Sequence, residues 1–173
     1  MHERPLPPAA QAQRVMRLGI GIFCLLALAG CASDGPLPGG YVVLPEASAG
    51  DALRPCSRQG PSDVEGTWSP SEAEIAQLEK DLPKLAWLKS SLCCLVGTRI
   101  NDPGSYFRQY LGLIIGGQRL IYINAFFDPA AHYNHSPWLR RVVDACDGGS
   151  GFWGAVYDPK RRRFSDLAVN GMA

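Results

Sequence analysis

Two runs rich in Tyr, Ile, Leu and Phe, residues 106–115 and 119–127, stand on either side of Gly116-Gly117. Aromatic and β-branched side chains suit a pleated, half-buried surface. A glycine pair between two such runs takes up the positive φ angles of a tight hairpin turn. A β-hairpin is therefore the unit around which the rest must fold, and it needs partners, because an isolated hairpin is marginally stable at best in water.

Further strand-like runs follow. Residues 152–157 and 164–169 are separated by a turn that begins at Asp158-Pro159. Residues 138–146 face 152–157 across Asp147-Gly148-Gly149-Ser150-Gly151, which reads as a second hairpin. Upstream, residues 92–100 are small and apolar and end at Asn101-Asp102-Pro103-Gly104, a strong turn signal. Consecutive strands with short connections form an antiparallel meander with one face covered. The cover is expected just ahead of them. Ser69 suits an N-cap, Pro70 the first helical position and Glu72 the reciprocal acid of a capping box. Ile75, Leu78 and Leu82 recur at helical spacing, Pro83 breaks the helix at Leu82, and Leu85 and Leu88 point inward from a second short turn. Glu72, Glu74 and Glu79 share no single stripe, and with Lys80 and Asp81 they read as charge on a solvated face. The expected class is α+β, with an N-terminal amphipathic helix packed on a curved antiparallel sheet of about four to five strands.

This domain is placed at residues 67–173. Residues 31–66 are punctuated by Pro36, Pro38, Pro45, Pro55 and Pro61 and by glycines at similar spacing. Such a composition buries too little apolar surface to offset the entropy of ordering. The segment reads as a flexible tether, in which residues 41–44 at most dock as a short strand.

Residues 1–30 read as a targeting leader. Arg14 and Arg17 precede an apolar run over residues 18–29, well short of the roughly 20 residues that cross a bilayer as a helix. The leader ends in Leu28-Ala29-Gly30-Cys31: an aliphatic residue, two small ones, then a thiol. This tetrad resembles the lipobox of bacterial lipoproteins. The resemblance implies alkylation of the Cys31 sulfur, cleavage before Cys31 and acylation of the new amine. One acyl chain holds a membrane weakly and two or three hold it firmly, at about 0.8 kcal/mol per buried methylene. With Ala32 and Ser33 next and Asp34 only after them, the resemblance also implies sorting to the outer membrane, facing the periplasm. A looser resemblance covers Arg108-Gln109-Tyr110, residues 121–126, Cys146-Asp147-Gly148-Gly149 and Phe152-Trp153-Gly154. Together these look like a small lipoprotein domain of unassigned function in Gram-negative bacteria.

Of six cysteines, Cys24 leaves with the leader and Cys31 takes the lipid. Cys56, Cys93, Cys94 and Cys146 remain, in a compartment where disulfides persist. A bridge between sequence neighbours is strained, so Cys93 and Cys94 are each expected to take a distant partner from Cys56 and Cys146. Adjacent cysteines also lack the spacer between zinc ligands, and neither a metal nor another cofactor is expected. The formal charge is +1 over 173 residues and becomes −1 once a leader carrying Glu3, Arg4, Arg14 and Arg17 is removed. That balance argues against a nucleic-acid partner. Lys160-Arg161-Arg162-Arg163 is the one dense basic run, and reads as a solvated hairpin tip or else as a patch leaning on anionic lipid or glycan.

Candidate chemistry is sparse. His132 and His135, with Asp128, could bind a metal, but the loop that carries them supplies no fixed geometry and no glutamate follows in metalloprotease spacing. Ser150, His135 and Asp144 make a triad on paper without the Gly-x-Ser-x-Gly turn that exposes such a serine. A sharper set lies on the hairpin. Alternation along its strands could let one sheet face present Arg108, Tyr110, Tyr122 and Asn124 to a partner, since aromatic and arginine side chains are enriched at such contacts. The competing expectation is that both faces are covered, one by the helix and one by the tether, with the hydroxyls and the amide satisfied internally. Trp138 and Trp153 read as core.

These readings lead to a lipid-anchored, non-enzymatic module that binds an envelope protein, a cell-wall fragment or a small amphiphile. The alternative is a small periplasmic hydrolase working through the loop histidines and Asp102, Asp128, Asp144 or Asp147. A concave pocket gathering two or more of those side chains favours the hydrolase. A flat exposed patch around Tyr110 and Tyr122 favours binding.

Overall fold

The computed structural model describes residues 40–127 and 137–172. Six strands form one mixed sheet: β1 (Tyr41–Val43), β2 (Val64–Trp68), β3 (Phe107–Ile115), β4 (Gln118–Phe126), β5 (Phe152–Asp158) and β6 (Arg163–Val169). Two short helices accompany it, α1 (Ala49–Ala52) and α2 (Glu72–Asp81). The fold is α+β.

The β3–β4 hairpin is the centre of the sheet. It pairs from Phe107 opposite Phe126 to Ile115 opposite Gln118 and closes through Gly116 and Gly117, at φ +56° and +67°. Two such angles in succession are cheap only without a Cβ. β5 joins β4 and β6 joins β5, both antiparallel. The antiparallel meander stops there. On the far side of β3, β1 runs parallel, pairing Tyr41 with Arg108 and Val43 with Tyr110. β2 runs antiparallel, pairing Thr67 with Leu113 and Trp68 with Gly112.

Residues 40–66 are thus built into the domain, which begins well before residue 67. Leu44 and Ala52, both buried, close on Leu111, Leu113, Tyr122 and Val156 from one face of the sheet. The prolines and glycines of this stretch punctuate short elements instead of diluting a tether, and β1 and β2 gain their ladders from a strand that is already paired. β2 comes so close to β3 that a Cβ at Gly112 would overlap the Trp68 carbonyl oxygen.

The helix lies between β2 and β3 in the chain, so it is not N-terminal to the sheet. Its N-cap is Ser71 and not Ser69. Ser71 Oγ accepts the Glu74 N–H at 3.3 Å, and the Glu74 carboxylate accepts the Ser71 N–H at 2.8 Å. Ser69 is engaged elsewhere, donating its hydroxyl to Glu46 at 2.9 Å. Pro70 keeps the residue before it out of the helical region, so the chain needs two more residues after β2 before it can coil. Past α2, a 3-10 turn at Leu82–Trp87 carries Pro83 near its start. Ile75, Leu78, Leu82 and Leu85 are buried in one cluster with Tyr110, Ile121, Trp153 and Tyr157.

The strand expected at residues 138–146 does not form, nor the hairpin after it. Pro137–Leu139 and Gly149–Gly151 are 3-10 turns and the intervening chain is irregular. Sheet side chains take the peptide groups that a ladder would need. Gln109 Nε2 donates to the carbonyls of Trp138 and Arg141 at 2.5 and 2.6 Å, and Gln109 Oε1 accepts the Val143 N–H at 2.9 Å. Asn124 Nδ2 donates to the Val143 carbonyl at 2.8 Å. Residues 92–100 contribute a single bridge, Leu92 beside Ala168.

The disulfides also depart from the expected scheme. Cys56 is bonded to Cys146, with Cα atoms 4.7 Å apart, and Cys93 to its neighbour Cys94. The Asp144 carboxylate accepts the Cys56 N–H through both oxygens, at 3.1 and 3.0 Å, and so holds the two distant loops together. The Cys94 N–H donates instead to the Val169 carbonyl, which ties that segment to the end of β6. No helix among the described residues is long and apolar enough to cross a membrane. Cys31, with residues 1–30, and the His132, His135 and Asp128 group lie outside the described residues.

Candidate functional site

Alternation along β3 puts Arg108 and Tyr110 on the same face, and α2 lays Glu79 beside both. Arg108 is 3 % exposed. Its Nε donates to Glu79 Oε1 at 3.1 Å and to the Tyr110 hydroxyl oxygen at 3.0 Å, and its Nη2 donates to Glu79 Oε2 at 3.0 Å. Nη1 donates to the Gly104 carbonyl at 3.0 Å and to that of Tyr106. Tyr110 in turn donates its hydroxyl to Glu79. Burial works against the charge on Arg108, but Tyr110 and Glu79 outweigh it and hold the guanidinium above its ordinary pKa. Burial and then the Glu79 charge push the Tyr110 hydroxyl well above the usual tyrosine value, against the pull of Arg108. Tyr110 therefore keeps its proton and donates it, in a partly buried network whose members fix one another.

Arg108 and Glu79 of this network line a cleft of about 450 Å³. Leu82, Pro83 and Pro103 form apolar walls, and Asn101 and Asp102 stand at the rim, both exposed. Tyr41 of β1, 45 % exposed, completes the wall with its ring 5.4 Å from that of Tyr110. Three distant stretches therefore build the cleft: β1, the end of α2 with its following turn, and the loop before β3. The volume falls in the range of small-molecule sites.

The four residues expected on one presenting face are divided between two. Pairing sets Arg108 opposite Ala125 and Tyr110 opposite Ile123, whereas Tyr122 lies opposite Leu111 and Asn124 opposite Gln109. Directly paired residues share a face, so Tyr122 and Asn124 point away from the α2 side. All four are buried. Tyr122 and Asn124 serve Arg58, which is 4 % exposed and donates to Asn170 Oδ1 at 2.8 Å, to the Tyr122 hydroxyl at 3.3 Å and to Asn124 Oδ1. Among the described residues no carboxylate pairs with Arg58, and its Nε has no partner. The interior there is full: a Cβ at Gly154 would stand 2.6 Å from the Tyr122 hydroxyl and 2.9 Å from Arg58 Nε. This second network cross-links the segments over that face and leaves no room for a ligand.

The remaining expected groups among the described residues do not converge. Asp144 holds the Cys56 amide, Asp147 and Ser150 are exposed, and of the acids weighed for hydrolysis that lie among the described residues only Asp102 lines the cleft. Among the described residues no three His, Cys, Asp or Glu side chains gather as metal ligands. The basic run is more than a solvated tip. Arg162 grips buried Asp81 through Nε and Nη2 at 2.9 and 2.7 Å, and Arg161 pairs with Asp158 at 2.8 Å. A hollow of about 390 Å³ beside it is lined by Glu74, Arg119, Asp158 and Arg161. Arg161 is committed there to Asp158 and Gln118, and Arg119 lies over the Trp68 ring, 5.3 Å from its centre.

No protein-family model, curated protein or solved structure matches the chain. Tyr41, Glu79 and Asn101 of the cleft escape a reading by local pattern. Tyr41 stands in a stretch with linker composition, Glu79 on a helix stripe that looks solvated, and Asn101 in a turn whose chemistry explains itself. The one available signal is that the turn and Arg108 lie close together in the chain.

Proposed function

We propose that this chain is an envelope lipoprotein, anchored through an acylated Cys31 to the outer membrane and facing the periplasm, and that its domain is a non-catalytic binding module. The observation that carries the reading is the cleft beside Tyr41, lined by Arg108 and Glu79, which are hydrogen-bonded to one another and to the buried Tyr110 behind them before any ligand arrives. A site organised in advance loses little freedom on binding. The address rests on Leu28-Ala29-Gly30-Cys31 at the end of the apolar leader, and the Cys56–Cys146 disulfide supports an oxidising compartment. The partner is an envelope protein, a cell-wall fragment or a small amphiphile.

The test has two parts. Cells fed labelled palmitate should yield a labelled mature chain beginning at Cys31, and Cys31→Ser should abolish the label. A photo-crosslinker at position 41 should capture an envelope component that the same group at exposed Asp51 does not. An unlabelled wild-type chain overturns the address, and equal capture from both positions overturns the cleft as the binding site.

A further inference from the structure

We propose that the cleft takes a primary ammonium group carried on a short aliphatic stem. This rests on the reading of the cleft as the module's ligand site. Among the described residues, the charges facing the cleft do not balance. Arg108 is matched by Glu79, which receives two of its nitrogens, and its remaining contacts include the carbonyls of Gly104 and Tyr106. Asp102 is left over. Its carboxylate is exposed at the rim with no ion pair or hydrogen bond among the described residues, and the neighbouring Asn101 side chain is likewise unengaged.

A ligand entering here meets acceptors in Asp102, the Asn101 side-chain oxygen and the outer lone pairs of Glu79. Three N–H donors on one positive nitrogen answer that set, whereas a carboxylate or phosphate would face Asp102 directly. Leu82, Pro83 and Pro103 offer an apolar lining to methylene groups leading up to the nitrogen. The half-exposed Tyr41 ring adds a face that attracts cations. Two sources carry this chemistry, a free diamine and a lysine-type side chain on a peptide.

The intact chain, 15N-labelled, is titrated with 1,5-diaminopentane, with Nα-acetyl-lysine methylamide, with glutarate and with methyl glucoside. The expected result is saturable shifts of Tyr41 and of the 101–104 amides by at least one of the two amines. Asp102→Asn should weaken that affinity roughly tenfold, the loss of one charge-assisted hydrogen bond. Tyr41→Leu should weaken it by a smaller factor, and added salt should weaken it in the wild type. Response to 1,5-diaminopentane, with or without the lysine amide, assigns a free ammonium, and response to the lysine amide alone assigns a side chain within a peptide. Shifts from glutarate or the glucoside without the amines overturn the ammonium assignment and leave the cleft as a site. Silence from all four probes overturns the ammonium assignment, and the palmitate label judges the anchor separately.

Discussion

Asp81 shows how much one carboxylate can hold in this molecule. Its side chain is 2 % exposed and receives Arg162 in a forked pair, Lys84 at 2.7 Å, the Tyr157 hydroxyl at 2.7 Å and the Gln77 amide at 3.1 Å. The Arg162 hydrogen bonds, together with those of Lys84, Tyr157 and Gln77, hold its pKa far below the usual carboxylate range against the opposing effect of burial. A folded-state pKa below the unfolded value contributes stability that is present above the unfolded pKa and is lost as pH falls through the folded one. Asp81→Asn should therefore cost about 2 kcal/mol near neutrality, by leaving buried donors poorly matched. The gap between wild type and variant, measured as urea midpoints, should narrow steadily below about pH 4. A gap that stayed constant down to pH 2 would contradict this account. The same carboxylate reads from the sequence as surface charge, since nothing local reveals that Arg162, 81 residues away, turns back onto it. Arg162 manages this with φ at +54°, at the turn between β5 and β6.

At the scale of elements, local chemistry announces most of what forms. The Gly116-Gly117 hairpin, the turn after Asp158-Pro159 and the strands on either side follow from residues in contact along the chain. The start of α2 is legible as a region but not in register, because Ser-x-x-Glu is written twice, at Ser69 and Glu72 and again at Ser71 and Glu74. Only the second closes into a capping box, since β2 runs on to Trp68 and Glu46 claims Ser69. Ser71→Ala should lower stability by about 1 kcal/mol, the ordinary loss of an N-cap. Ser69→Ala should cost clearly less, because the Glu46 carboxylate keeps its second donor, Thr67, at 2.7 Å. Thermal melts of the two variants side by side decide the register, and equal losses would place the cap wrongly. The missing strand at residues 138–146 teaches the converse. Its own residues suit a strand, yet Gln109 and Asn124 satisfy its peptide groups from the sheet beneath.

At the scale of the whole molecule, the sheet's far edge and second face depend on residues 40–66. Leu44, Ala52 and Arg58 are buried there, and β1 and β2 supply the partners for β3. A chain beginning at Thr67 should fail to fold cooperatively, giving a shallow urea transition and poor dispersion in an amide NMR spectrum, whereas one beginning at Gly40 should unfold in a single step. Equal behaviour of the two would return residues 40–66 to the role of a tether. What residue order could settle here was local. It specified where the chain turns, which runs alternate, where a helix is favoured, and the tetrad at Cys31 on which the proposed anchor rests. Pairing across distance belonged to the tertiary structure: which face each of Arg108, Tyr110, Tyr122 and Asn124 joins, that Cys56 bonds Cys146, and that Tyr41, Glu79 and Asp102 border one cleft. The physical reason is that turns and caps are governed by dihedral preferences and hydrogen bonds a few residues long. Burial and charge pairing are instead satisfied by whichever groups the packed sheet brings together, and no local pattern records that partner.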